Sequence, residues 1–251
     1  MKRAAIILIL FIVVCGYSSV KTDSPIDSVK ERNPSKVQQK LLELVLSDLE
    51  KEGGANSIGN KTYVNFKQLP DSLQNCGGLC FKVARKRVDD AFIQVTGKPL
   101  YDWLPKSIAT KYLTAKQVFD WTWNINTQDN QVWRSIPDVR GCGSAGAMTL
   151  AGLGEMKNKD QIWKGELLPG AVVQIFAYVS DWQKILNGID NPKLYENLSS
   201  YGHSFIFLEY VRDEYKDIIG MKVADQGFMN KIIVNKASFN IWFGANLLDP
   251  E

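Results

Sequence analysis

Apolar residues recur at steps of three and four through the first part of the chain, and past residue 170 they gather into short runs. Val37, Leu41, Leu42, Val45 and Leu49 share one face and predict an amphipathic helix over 35–51, closed by Gly53 and Gly54. Residues 55–61 read as a loop and 62–67 as a short strand. Cys76, Cys80, Ala84, Val88, Ala91 and Val95 follow in helical steps and predict a second helix over about 78–96. Lys82, Arg85, Lys86 and Asp89 fall mostly elsewhere, as a solvated face does, and Gly97 closes the helix. Thr114 reads as the cap of a third helix running to about 124. The tryptophans at 103, 121, 123 and 133 read as core and groove wall. "GSAGAMTLAGL", 143–153, is small and apolar, which suits a tightly packed helix.

The second half changes period. "ELLPGAVVQIFAYV" predicts a turn and then a strand over 171–179, followed by a polar insertion at 181–200. "GHSFIFLEYV" predicts a strand over 203–211. "DIIGMKVAD" predicts another over 217–225, after a charged turn. Short strands follow at about 230–234 and 239–243. Helices first and consecutive strands last argue for an α+β fold, N-terminal helices packed on a C-terminal antiparallel sheet. The chain shows no internal repeat and no low-complexity tract.

Composition alters this picture little. The 251 residues are 45% hydrophobic and 23% charged, which is ordinary globular usage. A net charge of +3 is too mild to imply nucleic acid as a partner, and it is compatible with an anionic surface such as a cell wall. The N-terminus changes the picture more. Lys2 and Arg3 precede an unbroken apolar run, Ala4 to Val14, too short to span a bilayer and suited to a signal-peptide core. Ile12-Val13-Val14-Cys15 resembles a bacterial lipoprotein box, although a small residue is usual where Val14 stands. Two readings stay open, a lipidated Cys15 anchoring the protein to a membrane and a plain secretory signal cleaved near Ser18 or Ser19. Either way residues 1–18 read as an export signal, 19–33 as a polar tether and 34–251 as one domain. The expected location is the periplasm or cell envelope, where disulfides are permitted.

Removing or lipidating Cys15 leaves Cys76, Cys80 and Cys142, an odd number. One disulfide and one free thiol is the simplest partition. A zinc site needs three or four N or S ligands, so it forms only if every mature cysteine and His203 converge, and no metal is expected. No serine elbow, phosphate loop or outstanding acidic pair is present. A cysteine nucleophile fits better. Gly77 and Gly78 turn the chain into a helix with Cys80 in its first turn, where the dipole and unbonded N–H groups favour a thiolate. His203 is the one histidine of the chain. It heads an apolar strand, where a ring can point out of the sheet toward a helix end. Asp225 ends the next strand and can orient that ring if the two strands form a hairpin.

This order of features resembles the papain-like cysteine peptidase superfamily, and its bacterial branches, the NlpC-type and CHAP-type cell-wall amidases. Gln74, Cys76, Cys80 and Phe81 stand in the order of the papain-type glutamine, disulfide cysteine, nucleophile and aromatic residue. "RGCGSAG" is similar to the context of the second disulfide cysteine, "GHSFIFLEY" to the histidine strand and "VADQGF" to the strand of the third residue. "LLPGAVVQIF" is similar to the Pro-Gly turn and strand that lead to the histidine in the bacterial branches. The cysteines are one residue further apart than in papain types, and Asp225 stands where those have Asn. The resemblance covers about residues 70–230 and implies a papain-like fold. It implies Cys80 as nucleophile, His203 as base, Asp225 as its orienting group, Gln74 as oxyanion donor and a Cys76–Cys142 disulfide. The NlpC pattern around "NCGG" nominates Cys76 instead, and the spacing to His203 nominates Cys142, so three cysteines remain candidates. The implied activity is an exported amidase or endopeptidase acting through a thiol acyl-enzyme on peptidoglycan stem peptides, without a cofactor. A protease acting on proteins is the enzymatic alternative. A non-catalytic exported binding or immunity lipoprotein with a structural disulfide is the alternative of another class, and an inhibitor or immunity protein is a possible partner.

Overall fold

A computed structural model of the chain describes residues 32–51, 79–124, 139–187, 202–224 and 233–251. Residues 33–251 form one compact unit. Its first helix, α1 (Lys36–Lys51), buries Val37, Leu41 and Val45, the stripe that the sequence spacing predicts. Asp249, near the end of the chain, caps α1. Its carboxylate accepts from the backbone N–H groups of Val37 at 2.9 Å and Lys36 at 3.2 Å, two of the donors a helix start leaves unpaired. The second helix, α2 (Leu79–Thr96), buries Ala84, Val88, Ala91 and Phe92. Arg85, Lys86 and Arg87 are half-buried rather than simply solvated. Arg87 bridges to Asp48 of α1 at 2.6 Å, and Arg85 reaches Asp120 at 2.7 Å.

Asp120 lies on α3 (Ala115–Asn124). As expected, Thr114 starts this helix. Its hydroxyl accepts from the Gln117 N–H while the Gln117 side chain accepts from the Thr114 N–H. The next helix, α4 (Gly143–Leu150), packs against α3 and the sheet. Gly143, Ser144, Ala145, Gly146 and Ala147 are all buried, so small side chains set how closely α4 approaches its neighbours.

Among the described residues six strands form one antiparallel sheet, β1 (Gly154–Asn158), β2 (Val172–Phe176), β3 (His203–Arg212), β4 (Ile218–Ala224), β5 (Ile233–Val234) and β6 (Ile241–Leu247). Their order across the sheet is β1-β6-β2-β3-β4-β5. The fold class is therefore α+β, helices first and an antiparallel sheet after. The expected hairpin forms between β3 and β4, with Ile206 opposite Ala224. The Asp213 side chain accepts from the N–H groups of Tyr215 and Asp217 in its turn.

Both faces of the sheet are covered. Val172, Ile206, Ala224, Ala245 and Leu247 meet α1, α2 and α4. Val173, Ile175, Phe205, Phe207, Met221, Val223 and Trp242 face the other way, onto a short helix α5 (Lys159–Trp163) and Leu167. This double burial explains why "AVVQIF" reads as a run rather than an alternation.

Four elements depart from the sequence reading, β1 and α5, which it did not assign, and two whose form or place differs. The part of the polar insertion described here opens as a helix, α6 (Val179–Asn187), held by Ile185 against Phe176. The last strand is longer than 239–243 and central rather than peripheral, lying between β1 and β2.

Candidate functional site

The described thiol is at the start of α4. Cys142 is the N-cap of that helix, and its side chain makes no capping bond. The first backbone N–H groups of α4 lack partners within the helix, which gives this turn a positive partial charge. Cys142 is a free thiol. Of the Cys76–Cys142 disulfide implied by the family resemblance, only the Cys142 side is described, and Cys76 lies outside the described residues. The S–H donates to Arg140 O at 3.6 Å, a weak bond. Cys142 is 4% exposed, and burial pushes its ionisation up to about 12, because a thiolate loses its hydration there.

Directly against this turn lies Gln174, a buried glutamine in the middle of β2. A Cβ added to Gly143 would sit 2.6 Å from Gln174 Cδ, so the helix start rests on the amide with no room for a methyl group. On its other side a Cβ added to Gly202 would sit 2.7 Å from Gln174 Nε2. Gly143 follows Cys142 and Gly202 precedes His203. One amide therefore separates the thiol turn from the head of the histidine strand. Ser204 orients that amide, its hydroxyl donating to Gln174 Oε1 at 2.6 Å.

His203 is the first residue of β3 and pairs with Ile175. Strand alternation sends its ring to the Phe205 side, with ring centroids 6.5 Å apart, and sends Ser204 to the α4 side. The expected ring pointing toward a helix end is thus corrected: the side chain that β3 offers to α4 is the neighbouring serine. His203 is 7% exposed.

Of the other expected residues, Cys80 is the second residue of α2, at the helix start the sequence assigns it. Its side chain lies outside the described residues, as do Gln74, Cys76, Asp225 and Cys15. Asp225 directly follows β4 in the sequence. Among the described residues no cluster of three or more His, Cys, Asp or Glu is arranged to hold a metal. No described helix is long and apolar enough to cross a membrane.

Sequence reasoning missed three polar groups here. Gln174 had a signal, as one polar residue inside an otherwise apolar strand run. Ser204 had none, because its partner is a strand away. Trp182, on α6, is the third. Its Nε1 is buried and has no hydrogen-bond partner among the described residues, and the same holds for the Ser144 hydroxyl in the first turn of α4. Comparison with protein-family models, with curated proteins and with solved structures finds no match for this chain.

Proposed function

We propose that this protein is an exported cysteine hydrolase of papain-like architecture that cleaves amide bonds through a thiol acyl-enzyme, with Cys142 as nucleophile and His203 as base. The observation that carries the reading is the Gln174 amide, which touches the residues flanking both Cys142 and His203. It supports Cys142 as nucleophile, with Cys80 and Cys76 as the alternatives. A cysteine at the start of a helix packed on an antiparallel sheet, with a later strand headed by the histidine, supports the papain-like part. In the reaction the Cys142 proton passes to His203 and the sulfur attacks the amide carbonyl carbon. The C–N bond then breaks and the amine leaves with the proton from His203. Water hydrolyses the thioester. Asp225 is assigned the orientation of the imidazole. Contact between ring and thiol requires His203 to leave Phe205 and swing around the end of β3 beside Gly202. Peptidoglycan stem peptides are the proposed substrate class, from the resemblance and the export-type N-terminus.

One observation favours a second reading, an exported binding module with an inert core thiol. Cys142 is buried, and its ionisation is raised rather than lowered. The two readings part in one experiment. The mature protein and its His203→Ala variant are labelled with iodoacetamide at pH 6 to 9, and the modified cysteines are mapped by mass spectrometry. The hydrolase reading expects Cys142 to label at pH 6 at least tenfold faster than the variant. Slow labelling that rises only at alkaline pH, equal in both proteins, overturns it in favour of the binding module. Fast, His203-dependent labelling at Cys80 or Cys76 would overturn the assignment of Cys142 alone.

A further inference from the structure

Any acyl transfer at Cys142 develops negative charge on the carbonyl oxygen, and that charge needs a donor aimed at it. The amide of the nucleophile itself is not available in this structure. The Cys142 N–H donates to Val139 O at 3.1 Å. Another donor lies close by. Trp182 Nε1 is buried without a partner among the described residues, whereas buried polar groups are nearly always paired. It lies against the turn that carries the thiol, since a Cβ added to Gly141, the residue before Cys142, would sit 2.8 Å from it. Its ring is held from behind by Phe243, with centroids 5.8 Å apart. Ser144, fully buried two residues past the cysteine, adds its hydroxyl to the same turn as a second unpaired donor. Two unpaired buried donors therefore border the Cys142 turn, Trp182 Nε1 against Gly141 and the Ser144 hydroxyl two residues past the cysteine.

We propose that the Trp182 indole N–H is the oxyanion donor of the Cys142 site, making Trp182 a catalytic residue that binds the carbonyl oxygen of an acyl substrate. This inference rests on the hydrolase reading. During acylation the sulfur bonds to the carbonyl carbon and the C=O π pair moves onto oxygen, where the indole N–H donates to it. The pair then returns, and the bond to the leaving group breaks.

The test separates reactions that do and do not form an oxyanion. Iodoacetamide alkylates the thiol by displacing iodide from carbon, so no charge builds on a carbonyl oxygen. p-Nitrophenyl acetate acylates the same thiol through a tetrahedral oxyanion and releases p-nitrophenolate. Both rates are measured on the mature wild-type protein, on Trp182→Phe, which keeps an aromatic ring against Phe243 and removes the N–H, and on Cys142→Ala as background. Thermal melts are recorded alongside. The expected result is a fall of tenfold or more in the Cys142-dependent ester rate of Trp182→Phe, on the order of 10² for a full donor, with alkylation within twofold of wild type. An unchanged ester rate overturns the assignment. So does an equal fall in both rates with a lowered melting temperature, which marks Trp182 as structural. If the wild-type protein shows no Cys142-dependent ester cleavage and no His203-dependent alkylation, the hydrolase reading itself falls and takes this inference with it.

Discussion

A single methyl group tests the contact between α4 and β2. Gly143 has φ +55, a left-handed conformation, and a Cβ there would meet Gln174 Cδ at 2.6 Å. Gln174 is buried and held by Ser204, so it cannot swing aside. Gly152 provides the control, because it has φ +70 and nothing within 4 Å of an added Cβ. Gly152→Ala is expected to lose about 1 kcal/mol from backbone strain alone. Gly143→Ala adds a clash in a packed interior and is expected to lose about 2 to 4 kcal/mol. Urea unfolding of the two variants measures the difference. Equal losses would show that Gln174 does not hold the helix start, and the link between Cys142 and His203 would lose its footing.

Among the elements, α1 is the one whose attachment is most concentrated. Gln38 is fully buried. Its Nε2 donates to Leu168 O at 2.8 Å and to Pro169 O at 3.0 Å, and its Oε1 accepts from the Leu247 N–H at 2.6 Å. One amide thus ties α1 to the turn before β2 and to the end of β6. Gln38→Leu keeps the bulk and leaves these backbone groups unpaired in the interior. The expected loss is about 2 to 4 kcal/mol, since each buried unpaired group costs about 1–3 kcal/mol and part is recovered by relaxation. Chemical denaturation reads it as a shift in midpoint, and a shift below about 0.5 kcal/mol would place the attachment of α1 elsewhere. The same contacts bear on what α1 is for. Its stripe of Val37, Leu41 and Val45 belongs to the main core, together with residues of α2, α4 and the sheet. It is a packing helix.

At the scale of the molecule, the groups with shifted ionisation among the described residues all act in one direction. Burial raises the Cys142 thiol from 9.0 to about 12. It also raises the phenols of Tyr101 and Tyr210 well above their usual range. A group whose folded value is raised keeps its proton in the native state while the unfolded chain gives its proton up. Its stabilising contribution is complete below the unfolded value and is lost as pH climbs from there toward the folded value. The protein is therefore expected to melt at progressively lower temperature between about pH 9 and pH 12. Cys142→Ala is expected to flatten the first part of that decline, where the thiol titrates in the unfolded chain. Thermal melts at half-unit intervals from pH 8 to 11 give both slopes. A variant that declines more steeply than wild type would mean that the thiol is already ionised in the folded protein, since the unfolded chain alone then still binds the proton. That outcome would favour an activated cysteine over an inert one.

Much of the local structure was determined by the sequence alone, because local structure answers to local period and to capping chemistry. The helices over 35–51, 78–96 and from Thr114 to about 124, and the strands from 171, 203 and 217, follow from apolar spacing and from residues such as Thr114 that satisfy helix ends within a few positions. The α+β class follows from their order. Tertiary structure decided what depends on residues distant in the chain. β6 lies between β1 and β2 because its pairing partners are some 70 to 90 residues upstream, and no local pattern encodes such a pairing. The face onto which His203 points was set by its register against Ile175, where a shift of one residue reverses the side of the sheet. The free thiol of Cys142 was likewise beyond a count of cysteines, which gives the number of sulfurs but not their distances. Gln174, Ser204 and Trp182 came together around that thiol only when β2, β3 and α6 had folded against α4, because a site is a set of distances and the sequence holds only an order.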